Sequence, residues 1–264
     1  MIPPAVLRAF GVAAPARPLD GGQGTSWTAG GLVFKPGGGR LHEWLGRVLP
    51  GVAADGFRPA PPVRTRDGAW EHDGWSATRW VPGRAPDTAS VSAWVEIIRA
   101  GRAFHRAVAH LDRPDFIDAR QDAWAIADRA AWQERDIALH PQLAPVARRL
   151  LAALEPLGPA QVVHGDLTGN VLVATGLAPA VIDISPYWRP PAYAEGVVVA
   201  DALCWHGAPP SLPETVQVPV AAVARGLLFR MATTSERHAA GAVTEAALRD
   251  EARRYARAVA AIGR

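Results

Sequence analysis

The chain has 264 residues, 49% of them hydrophobic and 20% charged, enough for one large or two small domains with a sizeable core and too apolar for disorder. Its 28 basic side chains against 25 acidic ones leave a net charge of +3, and all but Lys35 are arginines interspersed with acids, so no basic run of the kind that holds nucleic acid is present. A single cysteine excludes an intrachain disulfide framework and a cysteine-rich zinc site, no stretch approaches the ~20 apolar residues of a membrane span, and Pro3, Pro4 and Arg8 break any secretory leader, so a cytoplasmic protein without a membrane partner is expected.

The first eighty or so residues are rich in glycine, proline and short β-like runs. Leu32-Val33-Phe34 reads as a buried strand after the turn signal Ala29-Gly30-Gly31. Leu41, Trp44, Leu45, Val48 and Leu49 recur at helical spacing and predict a short amphipathic helix over 41–49. Residues 75–81 are strand-like and stop at Pro82-Gly83. A long helix is predicted over 88–111, with Val91, Val95, Ile98, Phe104 and Val108 as its apolar stripe and Gly101 as a weak point. Further helices are expected over 123–138, 143–157, 216–231 and 244–262, interrupted by a β-rich stretch from about 161 to 184. This order predicts an α+β protein of two parts, residues 1–82 and 83–264, divided at Pro82-Gly83.

The chemistry is concentrated in the β-rich interruption. Val162-Val163 leads into His164-Gly165-Asp166-Leu167-Thr168-Gly169-Asn170, and Val171-Leu172-Val173 follows. After the turn Ala174-Thr175-Gly176 a third short strand, Val181-Ile182, ends in Asp183. Two carboxylates and a carboxamide thus leave strand ends, and such hard oxygen donors suit Mg²⁺ better than Zn²⁺. A carboxylate beside such a site can orient a hydroxyl and accept its proton. The plain structural reading of any one of these residues is a polar turn that caps backbone groups; the ordered string with Asp183 argues against it.

This string resembles the aminoglycoside phosphotransferase-like family, and the run from His164 through Asp183-Ile184-Ser185-Pro186-Tyr187-Trp188-Arg189-Pro190-Pro191 is similar to an uncharacterised actinobacterial subgroup of it. The resemblance implies a bilobal protein-kinase-like fold, with a small β-rich N-lobe over 1–82 and a larger, mainly helical C-lobe over 83–264. It implies Asp166 as catalytic base, Asn170 and Asp183 as Mg²⁺ ligands, and His164 as a brace for the loop. One departure stands out: the family places four residues between the Asp and the Asn, whereas only Leu167, Thr168 and Gly169 intervene here. A missing residue moves the backbone by up to ~3.5 Å, which Gly169 is positioned to absorb.

A kinase-like chain also needs a phosphate-covering loop and a cation upstream. Gly22, Gln23, Gly24 and Thr25 form a glycine-rich segment able to bring backbone N–H groups close to phosphate oxygens. Lys35 ends the strand that begins at Leu32, where a kinase-like fold places the lysine that holds phosphates. In a chain that otherwise uses only arginine, a compact ammonium at this position is distinctive; the alternative is a solvated surface lysine. Glu43 on the next helix is the counterpart of the family's lysine-pairing glutamate, or an ordinary exposed acid. Arg79, Trp80 and Val81 resemble the interlobe hinge whose backbone groups hydrogen-bond adenine, or else an ordinary strand before a turn.

These readings imply an ATP- and Mg²⁺-dependent phosphotransferase acting on a small-molecule hydroxyl of the amino sugar, sugar or amino alcohol class. Tyr187 and Trp188 are the expected acceptor-facing residues, Arg189 beside them is a candidate phosphate contact or part of a rigid surface loop, and Asp201 is expected to pack behind the catalytic loop. The alternative, motivated by the short loop, is a catalytically impaired nucleotide-binding module. Nucleotide and small-molecule acceptor are the expected partners, without nucleic acid or membrane.

Overall fold

A computed structural model describes residues 1–19, 24–136 and 139–263. It divides into two compact units, Met1–Ala85 with Val171–Asp183, and Pro86–Asn170 with Ile184–Arg264.

The first unit opens with helix α1 (Pro4–Ala9) and strands β1 (Arg17–Pro18), β2 (Trp27–Ala29) and β3 (Leu32–Pro36). Helix α2 (Gly39–Val48) follows, then β4 (Arg58–Pro59), β5 (Pro62–Val63) and β6 (Trp75–Arg79). Five of these strands form an antiparallel sheet in the order β1-β2-β3-β6-β5. Gly30 and Gly31, both at positive φ (56° and 76°), supply the two-residue hairpin between β2 and β3, a geometry that side-chain-bearing residues resist. Alternation along β3 then decides the faces. Leu32 and Phe34 are buried against Ile2, Val6, Phe10 and Ala77, with Phe10 edge-on to Phe34 at 5.5 Å. Val33 and Lys35 necessarily take the other face.

Strands β8 (Val171–Ala174) and β9 (Leu177–Val181) also belong to this unit. β9 pairs parallel with β4, and Arg84 exchanges both backbone hydrogen bonds with Val173, at 2.9 and 2.8 Å. Arg58 adds side-chain bonds to the carbonyls of Ala178 and Pro82. A division at Pro82-Gly83 read along the chain assigns this hairpin to the second domain; strand pairing over long sequence separation assigns it to the first.

The second unit contains α3 (Val91–Ala107), α4 (Ala123–Ala131), α5 (Ala144–Leu151), β7 (Gln161–His164), β10 (Pro186–Arg189), α6 (Pro191–Trp205), α7 (Leu212–Val216), α8 (Val220–Ala239) and α9 (Glu245–Ile262). Side-chain caps start three of these helices: Ser90 for α3, Asp122 for α4 and Thr244 for α9. β7 and β10 form a two-stranded antiparallel ribbon with His164 opposite Pro186. Arg102 of α3 grips Glu195 of α6 through two hydrogen bonds of 3.1 and 2.6 Å and bonds the Val216 carbonyl of α7. No described helix is long and apolar enough to cross a membrane.

Helix α6 is absent from the sequence reading because it is buried on nearly every side, so it carries no amphipathic period. It packs on α8 backbone to backbone. A Cβ at Gly226 would lie 2.6 Å from the Gly196 backbone, and one at Gly196 would meet the Ala222 carbonyl. Gly196→Ala therefore forces the two helices apart; a loss of about 3 kcal/mol in urea-unfolding stability is expected, whereas Gly207→Ala, which meets open space, is expected to cost only the ~1–2 kcal/mol of a left-handed residue.

Candidate functional site

The loop after β7 is held from three sides. His164 is fully buried, and its Nδ1 accepts the Asp166 N–H at 3.2 Å. Its own N–H donates to His105 Nε2 at 3.1 Å. Burial first, and the neighbouring His164 second, depress the His105 imidazole to a pKa of about 3, so it is a neutral acceptor. The Gly165 N–H donates to the Ser185 carbonyl at 3.0 Å, and a Cβ on Gly165 would fall on the Tyr187 ring. Leu167 is buried against α3, occupying the space that Gly101 leaves: a Cβ there would lie 2.5 Å from Leu167 Cδ1. Gly101, a weak point for the helix by propensity, is thus what lets the loop dock.

The loop lacks one residue of the family spacing, and it closes as a tight turn. Asn170 N–H donates to the Leu167 carbonyl at 3.0 Å, with Gly169 at φ 80°, the glycine position of a type II turn. Asn170 Nδ2 then donates to the Asp166 carbonyl at 2.7 Å and reaches Asp166 Oδ2 at 3.4 Å. Asn170 Oδ1 has no hydrogen bond among the described residues.

The Asp166 carboxylate, 48% exposed, is held by a residue that sequence reasoning misses. Arg230 of α8 donates from Nη2 to Asp166 Oδ1 at 3.1 Å, and grips the buried Asp201 of α6 through Nε and Nη2 at 2.7 and 2.6 Å. Burial works against the Arg230 charge, but Asp201 and then Asp166 outweigh it and hold the guanidinium above its ordinary pKa. Nothing local marks Arg230 in the sequence, where it is one arginine among many on an apolar helix. Asp201 packs behind the loop as expected, and Arg230 is the link between them. These groups border a cavity of ≈ 370 Å³ that also meets Trp124, Thr168, Trp205, Arg237 and Glu251. The Thr168 hydroxyl is buried there without a hydrogen-bond partner among the described residues.

The first unit carries the other expected residues. Lys35 forms an ion pair with Asp183, and Asp183 takes a left-handed conformation with φ 50°. Glu43 does not join them. It is exposed on α2, and the phase of the helix turns His42 inward instead. His42 Nδ1 bonds the Gly38 carbonyl at 2.9 Å, and burial lowers its pKa, with Asp183 opposing and Lys35 adding to that shift. Leu19 N–H bonds the Ser26 carbonyl at 2.9 Å and closes the loop between β1 and β2. Gly22 and Gln23 lie outside the described residues; Gly24 has φ 69° with open space around it, and Thr25 is exposed. In the expected hinge, Arg79 and Trp80 spend their N–H groups on the Pro61 and Gly31 carbonyls, both at 2.9 Å. They cannot also donate to adenine, so of these three only the Val81 N–H is uncommitted among the described residues. The Trp80 side chain is 47% exposed.

The acceptor-facing expectation for Tyr187 and the phosphate-contact expectation for Arg189 are corrected. Tyr187 is buried beneath the catalytic loop and edge-on to Phe229, and burial pushes its phenol up to about 12. Arg189 is spent on Asp128 and Glu134, through bonds from 2.5 to 3.2 Å, above the Trp132 ring. Both point into β10's own packing because β10 pairs residue for residue with β7. Trp188 between them is half-buried.

Residues 42–185 match the model of the phosphotransferase enzyme family. No curated protein matches the chain. Among solved structures, it is similar to an aminoglycoside phosphotransferase from Alicyclobacillus acidocaldarius subsp. acidocaldarius DSM 446, at 17% identity over 100% of this chain and 96% of that one, with a TM-score of 0.60. The choline kinase LicA from Streptococcus pneumoniae is similar at 12% identity over 97% and 96%, with a TM-score of 0.62. A spectinomycin phosphotransferase in complex with ADP and spectinomycin is similar at 13% identity over 98% and 95%, with a TM-score of 0.55. At these identities the likeness carries the fold alone: the protein-kinase-like α+β architecture, with a β-sheet N-terminal part and a mainly helical remainder.

The buried triad makes unequal demands on its two carboxylates. Asp201→Ala strands the Arg230 guanidinium, and a loss of about 3–5 kcal/mol in denaturant unfolding is expected. Asp166→Asn leaves the Arg230–Asp201 pair intact and is expected to cost less than about 1 kcal/mol in the same measurement.

Proposed function

Since the chain belongs to the phosphotransferase enzyme family, we propose that it transfers the γ-phosphoryl group of ATP, with Mg²⁺, to a hydroxyl of a small molecule bound in the cavity beside Asp166. The observation that carries this reading is Asp166 itself: a half-exposed carboxylate held by its own loop and by Arg230 at the edge of a ≈ 370 Å³ cavity. A cavity of that size suits a ligand of the amino sugar, sugar or amino alcohol class. Its mix of aromatic rings, hydroxyls, acids and arginines suits a polar acceptor more than an apolar one.

Arg230 occupies Asp166 Oδ1 at 3.1 Å, and Oδ2, which meets only the long 3.4 Å contact from Asn170 Nδ2, accepts the proton of the acceptor hydroxyl as its oxygen bonds to the γ-phosphorus. The bond from that phosphorus to the β–γ bridging oxygen breaks, and ADP leaves. Arg230 orients the base. Lys35 neutralises nucleotide phosphate charge. Gly22, Gln23, Gly24 and Thr25 cover the phosphates, and the Val81 N–H with the exposed Trp80 ring receives the base.

The donors proposed for Mg²⁺ fit a hard cation. Asp183 offers an exposed carboxylate and Asn170 an uncommitted carbonyl oxygen, with no thiolate or imidazole in the set. The ion, when bound, offsets charge on the transferring phosphoryl group. The alternative is a nucleotide-binding module without transfer; the contacts of Asn170 with the Asp166 carbonyl and carboxylate support the phosphotransferase reading over it.

Asp166→Asn is expected to lower turnover roughly 10²–10⁴-fold while nucleotide affinity stays within about twofold, measured as ATP consumption across a panel of amino sugars, sugars and amino alcohols and as nucleotide binding by calorimetry. Wild-type protein that binds nucleotide tightly yet consumes none with any acceptor would favour the module instead. Lys35→Met should raise the KM for ATP by about tenfold or more; an unchanged KM removes Lys35 from the nucleotide site.

A further inference from the structure

Where α8 turns into α9, three potential metal ligands meet that phosphoryl transfer does not use. His238 lies in the last turn of α8, Glu245 is the first residue of α9, and His140 comes from the segment before α5. One ligand atom from each falls within 4.8 Å of the others. His238 Nε2 is 3.6 Å from Glu245 Oε2, His140 Nε2 is 3.9 Å from the same oxygen, and the two rings pack edge to face at 5.1 Å.

The hydrogen bonds around the cluster sort its atoms into supports and ligands. His238 Nδ1 lies 2.8 Å from the Val243 carbonyl. A carbonyl only accepts, so Nδ1 carries the hydrogen, and the lone pair of neutral His238 is on Nε2. That lone pair lies 3.6 Å from a carboxylate oxygen, an arrangement of two acceptors that a cation satisfies. Glu245 Oε1 is engaged by Gln142 Nε2 at 3.2 Å and Arg249 at 3.5 Å, while Oε2 meets only the two histidine nitrogens among the described residues. The His140 backbone is tied to α8 by its N–H to Ser235 Oγ at 3.1 Å. Its Nδ1 accepts a bond of 3.4 Å from the Gln142 N–H; ligation through Nε2 places the proton on Nδ1 and gives up that contact, which is at the weak limit of a hydrogen bond.

We infer that His140 Nε2, His238 Nε2 and Glu245 Oε2 form a binding site for a divalent transition metal of the zinc type. A tetrahedral ion with bonds of about 2.0–2.2 Å spaces its ligands roughly 3.3–3.5 Å apart; the two histidine–glutamate edges, 3.6 and 3.9 Å, are near this, and the histidine–histidine edge, within 4.8 Å, closes by ring rotation as the ion binds. Two imidazoles and one carboxylate select such a metal over Mg²⁺. The ion would pin the turn between α8 and α9, and that turn supplies Val243 to the wall of the cavity beside Asp166. The inference stands independently of phosphoryl transfer.

The test is calorimetric titration of Zn²⁺ into untagged, chelator-stripped protein in the presence of millimolar Mg²⁺. One equivalent should bind with a Kd on the order of 1 µM or tighter, unaffected by Mg²⁺. At 100 times that Kd the thermal midpoint should rise by roughly 5–10 °C. E245Q, a change at a half-exposed position that leaves the fold intact, and H238A should each weaken binding by about 100-fold or more. X-ray absorption at the zinc edge should report two nitrogen ligands and one carboxylate oxygen from the protein. If wild type binds no stoichiometric zinc, or binds it no better than E245Q and H238A, the cluster is a structural contact between two histidines and a glutamate and the inference is overturned.

Discussion

The guanidinium of Arg230, buried between Asp201 and Asp166, is the constraint around which the helical unit is arranged. Removing an arginine charge from water costs several kcal/mol, and the cost is recovered only when hydrogen bonds satisfy the group in good geometry. Asp201 supplies two of these, and Asp166 the third. To bring Arg230 and Asp201 together, α6 and α8 must approach closely, and they do so about one turn earlier on each helix, where Gly196 and Gly226 let backbone meet backbone. Helix separation, ion pair and the aim of the Asp166 carboxylate form one mechanical chain. A side chain added at the glycine crossing would act on the loop through that chain, although it touches no loop residue.

The same logic explains how this protein divides its cations. Arg102 with Glu195, Arg189 with Asp128 and Glu134, and Arg230 with Asp201 all place a planar fork against a carboxylate in a buried or half-buried setting. Such a fork keeps its charge under burial and makes two parallel bonds, which an ammonium cannot do. Lys35, the one lysine of the chain, sits on a half-exposed strand face beside Asp183, in reach of solvent and of any anion that approaches. Cations that fasten the fold are arginines; the cation proposed to meet phosphate is the lysine.

Backbone geometry is spent at a few positions with visible consequences. Gly169 closes the shortened loop through a positive φ, Gly165 yields its side-chain space to Tyr187, and Gly101 yields its space to Leu167. Gly101 is unfavourable in helix propensity and necessary in tertiary context, whereas Gly169 sits where the turn itself favours glycine. Asp183 adopts a left-handed φ without being glycine, a conformation that short polar side chains tolerate better than others. It is the last residue of the N-terminal unit, from which the chain passes into the helical one.

What the sequence by itself determined is whatever depends on neighbours along the chain. The hairpin glycines before Leu32, the strand that Lys35 ends and the turn that joins His164, Asp166 and Asn170 between two strands were legible because turn chemistry and spacing are local. Tertiary structure alone decided the partners. Glu43 and His42 differ by one position on α2, and only the packed phase of that helix shows that His42 turns inward. Helix α6 has no readable period because burial on all sides erases the contrast between faces. Tyr187 and Arg189 are attractive as ligand contacts in a string of letters, yet pairing of β10 with β7 turns them into the interior. Arg230 lies 64 positions from Asp166; a contact over that distance is set by where two helices cross, and nothing in the residues beside it records the crossing.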